Sequence, residues 1–199
     1  MTFAAQDAAS WLANPRATRE TLEAFGLATK HRLGQNFLVE DNIIRKIIRL
    51  AELTSDDVVL EVGPGLGTLT VAMLDYVRAV CSIEADRELE GVLAATCKEP
   101  HQDSFVLCMG DALKATPQLV GDAYASLGVF ADAQGKEASG ALIGPNKFVS
   151  NLPYQVAATL ILLFFQEFTT LEQAVVMVQA EVADRIAAKP GTKAYGAYT

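Results

Sequence analysis

Histidine and cysteine are scarce in this 199-residue sequence, and the scarcity removes several chemistries at once. Only two histidines are present, His31 and His101. A His-rich metal centre is therefore excluded, and any histidine-based triad would depend on one of these two, neither of which sits in a catalytic motif. Cys81, Cys97 and Cys108 form no CxxC pair. An odd, sparse set suits reduced thiols in the cytoplasm better than a disulfide framework or a zinc site. Long apolar runs are missing too: the longest such stretch, 156–165, contains Thr159 and reaches about half of the roughly 20 residues that cross a bilayer. The opening MTFAAQDAASWLA has no basic segment and does not read as a signal peptide. Bases are also in deficit, with 16 Lys and Arg against 24 Asp and Glu for a net charge of −8, which over the whole chain argues against a polyanionic partner. A cytoplasmic protein with no membrane and no metal is expected.

What is present folds: apolar residues make up 51% of the chain and charged residues 20%, the balance of an ordinary globular domain. Charge is unevenly placed. Between Leu50 and Leu113 twelve acids face three bases, whereas between Lys30 and Arg49 five bases (Lys30, Arg32, Arg45, Lys46, Arg49) face Glu40 and Asp41. Residues 1–29 carry a weakly helical stretch around Arg16–Phe25 and no motif, and read as an N-terminal extension. In DNIIRKIIRLAEL (41–53), Ile43, Ile44, Ile47, Ile48 and Ala51 fall on one helical face behind a potential Asp41 cap. Apolar, β-branched segments then alternate with helical ones. Strands are expected at about 58–63, 79–85, 104–110, 147–151 and 174–179, with helices over 68–76, 87–97 and 154–168. That alternation predicts βαβ units and a doubly wound α/β fold on a parallel sheet. The Gly-, Ala- and Asp-rich stretch 115–146 breaks the pattern and reads as a long loop or insertion.

Glu61-Val-Gly-Pro-Gly-Leu-Gly67 lies at the first strand-to-helix junction, where glycines let a ligand approach the backbone and a helix start offers free N–H groups. The spacing is GxGxG with an acid two positions ahead, unlike the GxGxxG that wraps a dinucleotide pyrophosphate. Glu84, twenty-one residues after Gly63 at the end of the second strand, is placed to accept both hydroxyls of a ribose. Asp111, ending the third strand, is placed for an adenine amino group. Three strand ends on one rim describe a site for an adenosine-containing cofactor. The fourth strand ends in Asn151-Leu152-Pro153-Tyr154. Adenine N6 is a poor nucleophile because its lone pair is delocalised into the ring. The Asn151 side-chain carbonyl and the backbone carbonyl of Leu152 or Pro153 can accept its N–H bonds and aim that lone pair. Pro153 stiffens the turn, and the Tyr154 ring can stack on an extruded base. Each of these residues also has a structural reading: a strand-end acid, a capping turn or a core tyrosine.

HRLGQNFLVEDNIIRKI, VLEVGPGLGTLT, SIEADREL, GDAL, VSNLPYQVAATL and MVQAEVADRIAAKPGTKAYG together resemble the small-subunit ribosomal RNA adenine dimethyltransferases, in the expected order from Lys30 to Gly196. The resemblance implies a Rossmann-like methyltransferase sheet and S-adenosylmethionine as cofactor. It further implies N6,N6-dimethylation of two adjacent adenosines in a hairpin loop near the 3′ end of 16S rRNA, within the 30S subunit or its precursor, by a monomer. It places Asn36 and Leu38 beside the methionine part, Gly63 against the cofactor, Glu84 on the ribose, Asp111 on the adenine, and Asn151 between cofactor and target base. Thr159 stands where many relatives have proline. Relatives also continue into two further strands and a small helical RNA-binding domain, so residues 30–199 are expected to be a truncated catalytic domain. A 23S rRNA methylase of the macrolide-resistance type, a non-catalytic RNA-binding assembly factor and a dehydrogenase remain as alternatives.

Overall fold

A computed structural model describes residues 10–27, 37–129, 144–193, 195 and 196. Five parallel strands form one sheet: β1 (Val58–Val62), β2 (Ala79–Glu84), β3 (Phe105–Met109), β4 (Lys147–Asn151) and β5 (Gln173–Met177), in the order β3-β2-β1-β4-β5. All five lie within two residues of their expected bounds. β1 and β2 are buried along their whole length, as continuous apolar runs in a parallel sheet must be when helices cover both faces. One face packs α2 (Asp41–Ala51) and α3 (Thr68–Leu74), with Ile44, Ile47, Ile48, Val59, Val80 and Val149 in a common core. The other packs α5 (Pro117–Ser126) and α6 (Ala157–Glu167), with Phe164 of α6 in one core with Leu60, Cys81 and Phe148. The three thiols are free, as Cys81 and Cys108 meet across β2 and β3 at Sγ–Sγ 3.7 Å.

Strand order reverses between β1 and β4, and there the sheet opens. The pair is in register only at Val59–Lys147 and Leu60–Phe148. Beyond, the Ser150 hydroxyl takes over, donating to the Val62 carbonyl at 2.6 Å and accepting from the Val62 N–H at 3.3 Å. A crevice at the carboxyl ends of strands flanking such a reversal is where doubly wound sheets bind ligands. At the opposite end the same two strands are clamped. Asn146 accepts from Val58 N–H (2.8 Å) and donates to Asp57 (2.7 Å), while Lys147 Nζ lies 3.4 Å from Asp57 and donates to the Ala51 and Glu52 carbonyls that end α2.

Two segments differ from the sequence expectation, and the helix expected near the N-terminus is present. The 115–146 stretch is not a loop throughout: Thr116 caps α5 by accepting from Leu119 N–H, and Val120 and Tyr124 are fully buried. The chain must cross from β3, at one edge, over the sheet to β4, and a helix covers that apolar face while satisfying its own backbone. The expected helix over 87–97 is a composite of a 3₁₀ turn (87–89), α4 (Glu90–Leu93) and a π-helical turn (94–98). Its cause is Thr96, whose hydroxyl reaches both the Val92 and the Leu66 carbonyls and so ties the segment under the glycine-rich turn. At the N-terminus α1 (Pro15–Ala24), capped by Asn14, buries Leu22 and, just before it, Leu12 and Ala13; Ala13 and Leu22 join the α2–α3 core. No helix among the described residues is long and apolar enough to cross a membrane.

Candidate active site

The crevice above the strand reversal widens into a cavity of about 740 Å³ whose walls come from the carboxyl ends of all five strands. Leu38, Gly63, Glu84, Asp111, Asn151, Leu152, Pro153 and Tyr154 all line it. Asn36 lies outside the described residues. The sequence therefore marks both ends of one continuous space.

On the β1–β3 side the glycine-rich turn is tied to β2 by Gly63 N–H, which donates to the Ile83 carbonyl at 2.9 Å. Gly63, Gly65 and Gly67 have φ of 66°, 62° and 87°, the left-handed region that costs other residues dearly. A Cβ on Gly65 would stand 3.2 Å from the Phe37 ring, and one on Gly63 3.5 Å from Pro153. A Cβ on Gly67 would collide with the Cys97 sulfur. Gly65 thus leaves room for the Phe37 ring at the cavity wall, Gly63 is required by its φ rather than by space, and Gly67 lets the 94–98 turn pack. Glu84 is buried at the cavity wall, its two oxygens accepting from Gly65 N–H (3.4 Å) and Asp86 N–H (2.9 Å). Burial raises its carboxyl above the ordinary value, with those backbone donors opposing. Asp111 is exposed and caps the next turn by accepting from Leu113 N–H at 3.0 Å, which fixes its carboxylate at the rim.

Beneath the turn, Glu61 accepts from the hydroxyls of Thr70 on α3 (2.6 Å) and Ser82 on β2 (2.7 Å). It is 1% exposed, and burial pushes its carboxyl up to about 7, assisted by the nearby Glu84. The acid two positions before Gly63 was visible in the sequence; its two hydroxyl partners, nine and twenty-one residues further on, were not.

On the β4–β5 side the turn after β4 is held by Leu152 N–H, which donates to the Met177 carbonyl at 3.0 Å. The Pro153 carbonyl accepts from Val156 N–H and so starts α6, whereas no hydrogen bond to the Leu152 carbonyl is present among the described residues. Of the two carbonyls considered for an amine, the Leu152 carbonyl is the available one. Tyr154 is 46% exposed and lines the cavity. Sequence reasoning missed Phe37, Arg87 and the stretch from Met177 at the end of β5 to Gln179, which also line the cavity. Residues 177–179 are expected from sequence as the end of the fifth strand and as part of a longer motif, with no site role.

Among the residues lining the cavity, four carboxylates (Glu61, Glu84, Asp86, Asp111) face one cation, Arg87. A pyrophosphate would meet repulsion there, while a nucleoside carrying positive charge would meet attraction. The open glycine turn, a buried acid for a ribose and an anionic wall fit an adenosyl sulfonium such as S-adenosylmethionine better than a dinucleotide. Among the described residues no group of three or more His, Cys, Asp or Glu could hold a metal ion.

Known proteins with this pattern agree. Ribosomal RNA small subunit methyltransferase A of Streptomyces coelicolor is 40% identical over 188 residues, covering 93% of this chain and 58% of that protein. The protein of the same name from Natranaerobius thermophilus is 43% identical over 191 residues, covering 94% and 61%. The chain thus spans about three-fifths of the length of such relatives. Among solved structures, a dimethyladenosine transferase from Plasmodium falciparum superposes with a TM-score of 0.60 at 26% identity, over 78% of this chain and 47% of that one. The 23S rRNA methyltransferase ErmE gives 0.57 at 29%, over 75% and 50%. The sequence pattern described as ribosomal RNA adenine dimethylase matches residues 26–199, the span that carries every strand of the sheet and every cavity residue named above. With that match added to the geometry, the chain belongs to the ribosomal RNA adenine dimethylase family.

Proposed function

We propose that this protein transfers methyl groups from S-adenosylmethionine to N6 of two adjacent adenosines in a hairpin loop near the 3′ end of 16S rRNA, within the 30S particle or its precursor. Residues 30–199 form the catalytic domain in this reading, acting as a monomer in the cytoplasm without a metal. The observation that carries it is the single cavity joining Gly63, Glu84 and Asp111 to Asn151–Tyr154. S-adenosylmethionine supplies an electrophilic methyl group when bound.

The residues do the rest by position. Glu84 and Asp111 orient the nucleoside of the cofactor, with Asn36 and Leu38 assigned to its methionine part. Tyr154 offers a ring face to a base taken out of its stack, worth roughly 1–3 kcal/mol. The Asn151 side-chain carbonyl and the Leu152 backbone carbonyl accept the two N6 hydrogens, which turns the nitrogen lone pair away from the ring and out of the base plane. Pro153 holds those two acceptors in place through its rigid φ and its bond to Val156 N–H. No strong base stands among these residues and none is needed, because alkylation makes the N6 proton acidic enough to leave to water.

Mass mapping of rRNA after incubating undermethylated 30S particles with the protein and labelled cofactor tests the proposal. Label on two adjacent adenosines near the 3′ end of 16S rRNA is expected; label elsewhere in 16S rRNA, or none, would overturn it. Asn151→Ala is expected to keep S-adenosylhomocysteine affinity within about twofold while lowering the methylation rate by roughly two orders of magnitude or more, the scale for removing a positioned transition-state acceptor. Equal loss of both would mean misfolding.

A further inference from the structure

The β5 end of the cavity has no role in the reaction as described, yet it lies level with the amine acceptors. Asn151 and Met177 are Cα partners in the parallel β4–β5 ladder. Val149 on β4 and Val175 and Met177 on β5 all face the α2–α3 core, so the two-residue period puts Asn151 on that side and carries Gln179 toward it as well. Gln179 keeps extended backbone, φ −63° and ψ 148°, and starts the seven-residue helix α7 (Ala180–Ile186). It is exposed, it lines the cavity with Asn151 and Tyr154, and its side chain makes no hydrogen bond among the described residues. Gln155, the other amide on this side, donates to the Tyr154 hydroxyl at 3.4 Å.

Adenine chemistry says what such a group could meet. Once Asn151 and Leu152 take both N6 hydrogens, the polar atoms left beside the amine are ring nitrogens N1 and N7, and both are acceptors. A carboxamide N–H is a neutral side-chain donor that matches them, and an Asn or Gln amide donating to adenine N7 is one half of a recurrent contact where proteins read bases. We propose that Gln179 is a specificity-determining contact for the target base: its Nε2–H donates to N1 or N7 and fixes the in-plane rotation of the adenine, so that N6 stays between Asn151 and Leu152. Guanine carries a carbonyl in place of the amine, so it fails the Asn151 and Leu152 acceptors, and its hydrogen at N1 also denies Gln179 an acceptor there. This inference rests on the proposed function and adds a residue to it.

The test uses 30S particles reassembled with a synthetic 3′ segment whose target position holds adenosine, 1-deazaadenosine or 7-deazaadenosine. Gln179→Ala is expected to lower kcat/KM on adenosine about tenfold, the scale of one neutral hydrogen bond, with S-adenosylhomocysteine affinity and melting temperature unchanged. Gln179→Glu, which keeps the shape but loses the donor, is expected to fall at least as far. Unaltered protein is expected to lose the same factor on one of the two deaza substrates, and Gln179→Ala to lose nothing further on that substrate. Equal loss by the variant on all three substrates, or no loss at all, would overturn the contact while leaving the proposed function standing. Absence of transfer by unaltered protein on adenosine would overturn both.

Discussion

Replacing Glu61 with glutamine isolates what a fully buried carboxyl costs this fold. In the native protein its carboxyl sits at about 7 against an ordinary 4.5, because burial opposes the charged form more than Thr70 and Ser82 support it. A carboxyl raised on folding binds a proton more tightly in the folded state. Its contribution is therefore intact below about 4.5, declines as pH rises through the interval up to about 7, and levels off above. Integrated between about pH 5 and about pH 8, the loss is about 2–3 kcal/mol. Glu84 is raised in the same direction and adds to the slope of the unaltered protein, so the useful quantity is the difference between protein and variant, which removes Glu84's share apart from its coupling to Glu61. Both hydroxyls donate to the same Glu61 oxygen, Oε2, so glutamine keeps that acceptor and carries no charge. The measurement is the urea midpoint with its slope at several pH values across that range. The variant is expected to match or fall slightly below the unaltered protein at the acid end and to exceed it at the alkaline end, with the gap growing by about 2 kcal/mol. Parallel profiles would refute the reasoning and would mean that Glu61 stays ionised over the Thr70 and Ser82 hydroxyls.

Glu84→Gln is expected to weaken S-adenosylhomocysteine binding by about tenfold or more, read by calorimetry, because a charge-assisted pair of ribose contacts is worth roughly twice a neutral one. Gly67→Ala combines a left-handed φ with a collision at the Cys97 sulfur, and thermal melting should show a loss of about 2 kcal/mol or more; Gly67→Ala with Cys97→Ala should recover part of it. Asn146→Ala strands the buried Val58 N–H and one Asp57 oxygen together, so a urea titration should show a destabilisation of about 2–3 kcal/mol with little change in cofactor affinity.

Strands were legible because a buried parallel strand has a local signature, a short β-branched run between turn residues, and VVLEV and AVCSIE carry it undiluted. The cavity was legible because its chemistry is written at strand ends: Gly63, Glu84, Asp111 and Asn151 each follow an apolar run by at most one residue. What escaped was set by tertiary position. PQLVGDAYAS has weak helical periodicity, and its helix is required by the crossing from β3 to β4 rather than by its own pattern. Thr96 distorts its helix because the Leu66 carbonyl, thirty residues away, offers a second acceptor. Gln179 gains meaning only from the β4–β5 register that sets it beside the Asn151 turn.

The charge of the chain, which first argued against a nucleic acid, becomes informative once it is located. Glu84, Asp86 and Asp111 gather at the β2 and β3 ends of the cavity, with Glu61 beneath them, whereas the residues after β4 and β5, Asn151–Val156 and Met177–Gln179, carry no charge at all. A phosphate backbone is repelled from the first side and indifferent to the second. In the proposed reaction the RNA strand must then pass outside β4 and β5, with one neutral base reaching inward across Tyr154 to meet a positively charged donor at the acidic end. The same asymmetry that excludes a dinucleotide assigns the two substrates to opposite ends of the cavity. It predicts that raising ionic strength from about 50 to about 500 mM weakens S-adenosylmethionine binding measurably while leaving neutral S-adenosylhomocysteine nearly unaffected; equal salt dependence of the two would show that the carboxylates do not act on the sulfonium charge.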